Sequence, residues 1–427
     1  MTAPPIDPAP RSYPPFVSLL RRSARRWEAA PGQSGFEAIE AWLLGDAVAE
    51  DDTLYSFEQL AWRLVAAGLP LERASLHVGT LHPQIYGYSW NWKATDGLCD
   101  EVKVAESALQ TDAYRRNPLF DVIERGTAYR GKTTDPATVV RYPLMAELAG
   151  QDIVEYVALP LRTGGQYSNA VTVATKREAG FSDGEFAQLQ HLLKLFALHV
   201  GRQLQRRIAG DVLDTYLGAA AGGRVLDGLI KRGAGEPIRS VIWVSDLRGF
   251  TDLSERLAGP DMIALLNTYF GCLAGTVLDH RGEVLKFIGD GLLAVFPFSS
   301  FATERAAAEA ALAAAEQACD QLDRLNAMPP PEIAAIADWH PLRTGIALHD
   351  GEVFFGNVGA PARLDFTVIG RAVNAASRVE ALSKSLGRSI LITEAVAGHL
   401  DRPLDDLGRH ALRGVAQPIA LFSPPLA

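Results

Sequence analysis

Apolar positions along the chain fall into two rhythms, and the change of rhythm predicts the elements. Between Ile85 and Trp92 the side chains alternate, with Tyr86, Tyr88, Trp90 and Trp92 two apart, so a strand puts four rings on one face. That row has two readings, a ligand pocket or ordinary core. Ala74 to Gly79, Ile153 to Leu161 and Asn169 to Thr175 also read as strands, and with the helical stretches between them they predict an α/β module around one sheet over residues 37–182. From Phe186 the spacing becomes three and four through Leu189, Leu193, Phe196 and Val200, continued at spacing four by Leu204, Ile208 and Val212. This predicts one helix of about 30 residues with a narrow apolar seam. A seam that long calls for a partner helix, which predicts a parallel dimer helix between two domains; packing on its own domain is the alternative.

Near the start, Phe16, Leu19, Leu20 and Trp27 are interrupted by Arg21, Arg22, Arg25 and Arg26, which predicts a short basic amphipathic helix. Docking on its own domain is the first reading of that helix, and peripheral contact with a membrane surface the second. Six of the 25 prolines lie in the first 15 residues, so residues 1–36 are read as a disordered tail. Gly218-Ala-Ala-Ala-Gly-Gly and Gly233-Ala-Gly-Glu-Pro237 break the pattern again, so 183–237 is read as a connecting segment and 238–427 as a second domain. The whole is an α+β protein.

Composition narrows the function classes. At 427 residues, with 48% hydrophobic and 21% charged, the chain is neither fibrous nor disordered. A net charge of -9 offers no general attraction for nucleic acid, so none is expected as a partner. Cys99, Cys272 and Cys319 are odd in number and far apart, which argues against a disulfide framework or a zinc cluster. The expectation is a cytoplasmic protein without a transmembrane segment. His77 and His82, on different elements, are assigned no ligand.

Three segments carry candidate chemistry. Val241-Ile-Trp-Val is a buried strand ending in Ser245-Asp246-Leu247-Arg-Gly249-Phe250-Thr251, so a carboxylate suited to a cation stands beside a helix start whose free N–H groups, Gly249 to Thr251, suit phosphate oxygens. Asp252 and Glu255 have capping spacing. Glu283 to Phe296 reads as a hairpin around Gly289-Asp290-Gly291, with Lys286 on a strand face beside Val284 and Ile288, where a buried ammonium needs a partner. Asp365-Phe-Thr367-Val-Ile-Gly370 leads into a helix on which Asn374 and Arg378 share a face. Ala-rich Phe301 to Leu325 reads as a helix covering the sheet.

In this order and spacing the three segments, with Arg343-Thr-Gly-Ile-Ala-Leu-His-Asp-Gly-Glu-Val, resemble the catalytic domain of class III nucleotidyl cyclases over about 238–423. Val157-Ala-Leu-Pro-Leu-Arg-Thr-Gly-Gly-Gln, Ala170-Val-Thr-Val-Ala and Phe181-Ser-Asp-Gly-Glu-Phe resemble the last third of a GAF sensor domain, whose ligand stays unassigned. The cyclase resemblance implies a ferredoxin-like βαββαβ palm-type core, a head-to-tail homodimer, and sites shared between chains. It implies two Mg²⁺ or Mn²⁺ ions held by Asp246, Asp290 and the Leu247 carbonyl, Arg378 on the transition-state phosphoryl oxygens, Asn374 on the ribose, and Arg413 on the γ-phosphate. Lys286 only donates and Thr367 can accept, a pair that suits adenine, so the resemblance implies ATP converted to 3′,5′-cyclic AMP and pyrophosphate. Threonine at 367, where many relatives have aspartate, is typical of one bacterial subgroup. A guanylyl cyclase, and a silent ligand-binding regulatory dimer, are the alternatives; no Gly-Gly-(Asp/Glu)-Glu-Phe stretch supports a diguanylate cyclase.

Overall fold

Tyr88, Trp90 and Trp92 lie almost wholly out of water in one of the hydrophobic cores. The computed structural model describes residues 11–24, 32, 35–164, 168–337, 339–415 and 417–425. Two units divide at Val212/Leu213. The first holds a seven-stranded sheet made of β1 (Val17–Ala24), β2 (Arg73–Gly79), β3 (Ile85–Lys93), β4 (Leu98–Ala105), β5 (Tyr129–Lys132), β6 (Glu155–Leu161) and β7 (Asn169–Thr175). Its order is β1-β4-β3-β2-β7-β6-β5, every neighbouring pair antiparallel. Alternation sends Val157 and Leu159 of β6 to a core shared with the helices Thr53–Ala66 and Asp183–Leu217, while Tyr156 and Ala158 face Val122, Met145 and Leu148.

Three expectations change here. The helix read over Phe16 to Trp27 is instead strand β1, and residues 17–24 are no tail. The adjacent arginines project to opposite sides of that strand and each meets a carboxylate on β4, Arg21 Nε donating to Glu101 at 2.7 Å and buried Arg22 Nε to Asp100 at 2.5 Å. Charges that broke the helical pattern are thus internal ion pairs, which removes Arg21 and Arg22 from any basic membrane-facing surface. Arg25 and Arg26, like residues 1–10, lie outside the described residues.

The aromatic row is shortened as well. A register shift between Ile85 and Gly87 places Tyr86 in a bulge, where its ring packs edge-on to Tyr114, so three rings rather than four form the core row. Third, the long helix exists, from Asp183 to Leu217, but Leu189, Leu193, Phe196, Val200 and Leu204 of its seam are buried in the first unit's own core, with Phe186 and Ile208 packed against it. The apolar seam is covered by its own sheet, and the packing alternative is the one seen.

The second unit is built on β8 (Gly235–Leu247), β9 (Glu283–Ile288), β10 (Gly291–Pro297), β11 (Thr344–Ala360), β12 (Arg363–Ile369), β13 (Ile390–Thr393), β14 (Asp405–His410) and β15 (Ile419–Ser423). The order is β14-β15-β13-β11-β8-β10-β9, with β12 paired to β11. Strand β8 leads through the helices Phe250–Arg256 and Gly259–Asp279 to the β9–β10 hairpin, then through the helix Glu304–Ala327 to β11, which is βαββαβ connectivity. The Ala-rich helix starts where Thr303 accepts from the Ala306 N–H. It packs Ala308, Ala311, Ala315 and Leu312 against Trp243, Phe296 and Leu348 of the sheet.

The helix Gly259–Asp279 is long and apolar enough by composition to cross a membrane. Its Leu265, Tyr269, Leu273 and Val277 are nonetheless buried in the second unit's core, so this face is spent on the sheet.

The helix Arg371–Glu380, which carries Asn374 and Arg378, packs closely on β11 at Gly345 and Gly351. A Cβ at Gly351 would lie 2.4 Å from the Ala372 Cβ, and one at Gly345 would lie 2.2 Å from Glu380 Oε1.

Candidate active site

Strand pairing fixes the carboxylates. Asp246 stands at the end of β8, one residue before Leu247, between β11 and β10 in the sheet. Asp290 follows Gly289, whose φ of +64° makes the tight turn of the β9–β10 hairpin. Asp246, although open to solvent along one side, is pushed up to about 7, by partial desolvation first and by the nearby Asp290 charge next. The neighbouring Leu247 backbone N–H pulls the other way.

A third acid faces them. Glu380, at the end of the helix Arg371–Glu380, contributes to raising Asp246 and is itself raised by burial, with Asp290 adding and Ser383 and Arg248 opposing. The sequence reading did not include Glu380; its spacing from Arg378 places it on another side of the helix, and Gly345 alone hinted that something large must pass over β11.

Beneath Asp246 the backbone is braced. The Tyr269 and Thr344 hydroxyls are hydrogen-bonded at 2.9 Å, and Thr344 donates to the Asp246 carbonyl oxygen at 3.0 Å. Burial raises the Tyr269 phenol above its usual range, so it stays a neutral donor.

Crowded carboxylates with an open face form a donor set for a hard divalent cation, since an ion between them would remove the repulsion that now favours protonation. Asp246 and Asp290 therefore fit the metal role expected of them. Among the described residues, no group of three or more His, Cys, Asp or Glu side chains has metal-binding geometry by itself, so further ligands would come from the substrate, water or backbone.

Gly249, with φ of +78°, precedes the helix Phe250–Arg256, whose first N–H groups receive no side-chain cap. The capping pair expected of Asp252 and Glu255 does not form, because the helix begins two residues before Asp252. Phe250 and Thr251 thus stand in the first turn with their amides free for an anion.

Lys286 is not the buried ammonium expected, since Leu285 turns into the core and Ile288, on the lysine's own face, is exposed; its ammonium donates to the Asp365 carboxylate. Thr367, two residues along β12, shares the solvent-facing side of that strand with Asp365, while Phe366 and Val368 enter the core. Lys286 and Asp365 line an open cleft of about 760 Å³. Neither Asp246 nor Asp290 lines it.

Asn374 is exposed and Arg378 half-buried on their helix. The Arg378 guanidinium reaches the loop after Leu412, where a Cβ on Gly414 would lie 3.5 Å from Nη1. Exposed Arg413 is the neighbour of that glycine, so the two arginines expected on phosphate oxygens belong to one corner of the unit.

Residues 237–420 match the family model of the adenylate and guanylate cyclase catalytic domain. The second unit therefore carries a cyclase catalytic domain. Similar proteins include an adenylate cyclase of Anabaena cylindrica, 36% identical over 41% of this chain and 33% of the relative. An uncharacterized protein of Mycobacterium tuberculosis is 35% identical over 54% of the chain and 37% of the relative. The chain thus spans about a third of the length of these curated relatives. Among solved structures, an adenylyl cyclase from P. aeruginosa is 28% identical, covers 45% of this chain and 97% of its own, and has a TM-score of 0.41.

Proposed function

We propose that the protein is an adenylyl cyclase converting ATP to 3′,5′-cyclic AMP and pyrophosphate, regulated by its N-terminal unit as a GAF-like sensor. The observation that carries the reading is the crowded Asp246–Asp290 pair, supported by a donor-only Lys286 on β9 and an acceptor-capable Thr367 on β12, two strands in contact though not paired in the sheet.

In this reading Asp246 and Asp290, with the Leu247 carbonyl, hold two Mg²⁺ or Mn²⁺ ions. Bound there, the ions would lower the cost of ionising the ribose 3′-hydroxyl and of releasing charge onto pyrophosphate. The chain's own residues do the remainder. Lys286 donates to adenine N1 and Thr367 accepts from the N6 amino group. Asn374 holds the ribose so that its 3′ oxygen faces the α-phosphorus. That oxygen forms the new P–O bond as its proton leaves to water and the bond to the β-phosphate oxygen breaks. Arg378 donates to the phosphoryl oxygens as their charge grows, and the Gly249–Thr251 amides and Arg413 receive the outer phosphates. A homodimer completes each site, one chain supplying the acids and the other Lys286 and Thr367.

Incubation with ATP or GTP plus Mn²⁺, with both cyclic products quantified, decides the reading. Cyclic AMP in excess is expected, and dominant cyclic GMP would overturn the base assignment. Turnover no greater than that of Asp290→Ala would instead leave a silent nucleotide-binding domain.

A further inference from the structure

We propose that Tyr269 and Thr344 are positioning residues for the metal-binding end of β8: their hydroxyls form a hydrogen-bonded chain that fixes the peptide joining Asp246 to Leu247. The inference rests on the metal role given to those two residues above and goes beyond it by assigning a function to the buried pair behind them.

The end of β8 is supported on one side only. Its pairing with β10 runs from Ser240 to Ser245 and stops, whereas its pairing with β11 continues through Asp246↔Gly345 and Leu247↔Thr344. The two residues that would hold cations therefore overhang β10. A metal ligand set tolerates little drift, so the strand that remains must supply the stiffness. Gly345, opposite Asp246, has no side chain to do so and no room for one, since a Cβ there would lie 2.2 Å from Glu380 Oε1. The residue next to it is Thr344.

Counting protons sets the direction of the chain. Thr344 has one hydroxyl proton, and of the two carbonyl oxygens within reach that of Asp246, at 3.0 Å, is nearer than that of Gly345, at 3.3 Å. With that proton spent, the Tyr269 hydroxyl donates to Thr344 Oγ1 across 2.9 Å. Both residues are buried, so each hydroxyl relies on the other and a bond lost here is not replaced by bulk water. Tyr269 stands on the helix Gly259–Asp279 between Leu265 and Leu273, one turn to either side, in the core of the second unit, which anchors the far end. Because a peptide unit is planar, holding the Asp246 oxygen orients the Leu247 nitrogen in the same plane, and so both ligand-bearing residues. Packing alone would be met by valine at 344, which has the same shape; what the hydroxyl adds is the bond to β8.

Metal affinity tests the assignment without turnover. Binding of Mn²⁺ alone to the full chain is read from the electron paramagnetic resonance of the free ion, for wild type, Asp246→Asn, Thr344→Val, Thr344→Ser, Tyr269→Phe and the Tyr269→Phe/Thr344→Val double variant. Thr344→Val is expected to weaken Mn²⁺ binding about tenfold or more, the usual weight of a group that orients a metal ligand. Thr344→Ser, which keeps the hydroxyl, should stay within about threefold of wild type. Tyr269→Phe should weaken binding about threefold in the wild-type background and by less than about twofold beside Thr344→Val, because the tyrosine acts through the threonine. Unchanged affinity in folded Thr344→Val, or an equal loss in Thr344→Ser, overturns the proposal, the second by making packing the cause. If Thr344→Val does not fold, Tyr269→Phe decides instead, and wild-type affinity there overturns it. Wild type that binds Mn²⁺ no better than Asp246→Asn would sink the metal reading as well, a result distinct from tight binding that ignores Thr344.

Discussion

Glu380 shows what a single side chain adds at this site. It lies 134 positions from Asp246 in the sequence and reaches it only because Gly345 leaves room above β11. Asp246 and Glu380 are both raised, by burial first, with the Asp290 charge among the further causes, a poor arrangement for stability alone. In the proposed reading, a cation held by Asp246 and Asp290 would relieve that crowding. A consequence can be measured without turnover: Mn²⁺ should raise the Tm of the wild-type chain in a concentration-dependent way, as any ligand specific to the folded state does. Asp246→Asn should abolish most of that rise while leaving the metal-free Tm at or above the wild-type value, because the amide relieves the crowding. A metal-free Tm well below wild type would mean that Asp246 is there to support the fold.

At the scale of elements, the hairpin, the Ala-rich helix and the strand–turn–helix around Thr367 were legible because each is a local pattern: Gly289 at a tight turn, a run of strong helix formers behind Thr303, period two along β12. Contacts that pair distant carboxylates with local charges were not. Arg21 and Arg22 look like the polar face of a helix until β4 supplies Asp100 and Glu101, and the seam from Leu189 to Leu204 looks like a dimer contact until the first sheet covers it. Lys286 was misjudged as buried, because the apolar Val284 and Ile288 on its face are not the core side of β9, and its partner Asp365 lies 79 positions away. The seating of the helix Arg371–Glu380 is another contact of this kind, and it makes a prediction. Gly351→Val forces side-chain atoms against Ala372, so the helix must lift or the strand must bend. Overpacking of this sort costs about 1–3 kcal/mol, read as a lower midpoint in urea. Because Asn374 and Arg378 ride on that helix, kcat should fall by about 10², well beyond what the loss of stability explains at 25 °C. Normal kcat in a folded Gly351→Val chain would show that the site tolerates movement of this helix.

For the molecule as a whole, the long helix runs from the first unit into the second. In the first unit the long helix is tied to its sheet near its end, by Arg207 to Glu101 and by Asp211, which accepts from the Tyr88 hydroxyl at 3.1 Å. The same helix continues to Leu217, and in the second unit Gly218 follows with φ of +82°, lying so near β9 that a Cβ would come within 2.9 Å of the Val284 carbonyl. Strand β9 carries Lys286. In the proposed reading each site draws on two chains, and complementation measures that division of labour. In that reading Lys286→Glu and Asp290→Ala should each be nearly inactive, one lacking the base reader and the other a metal ligand. In a homodimer whose sites each draw on two chains, mixing the two variants gives heterodimers with one intact site. Random pairing makes half the dimers mixed, so activity should return to about a quarter of wild type. Subunit exchange confirmed by a tag on one variant, with no activity regained, would mean that a single chain holds its whole site, and that Lys286 and Asp290, four residues apart on one hairpin, serve the same nucleotide.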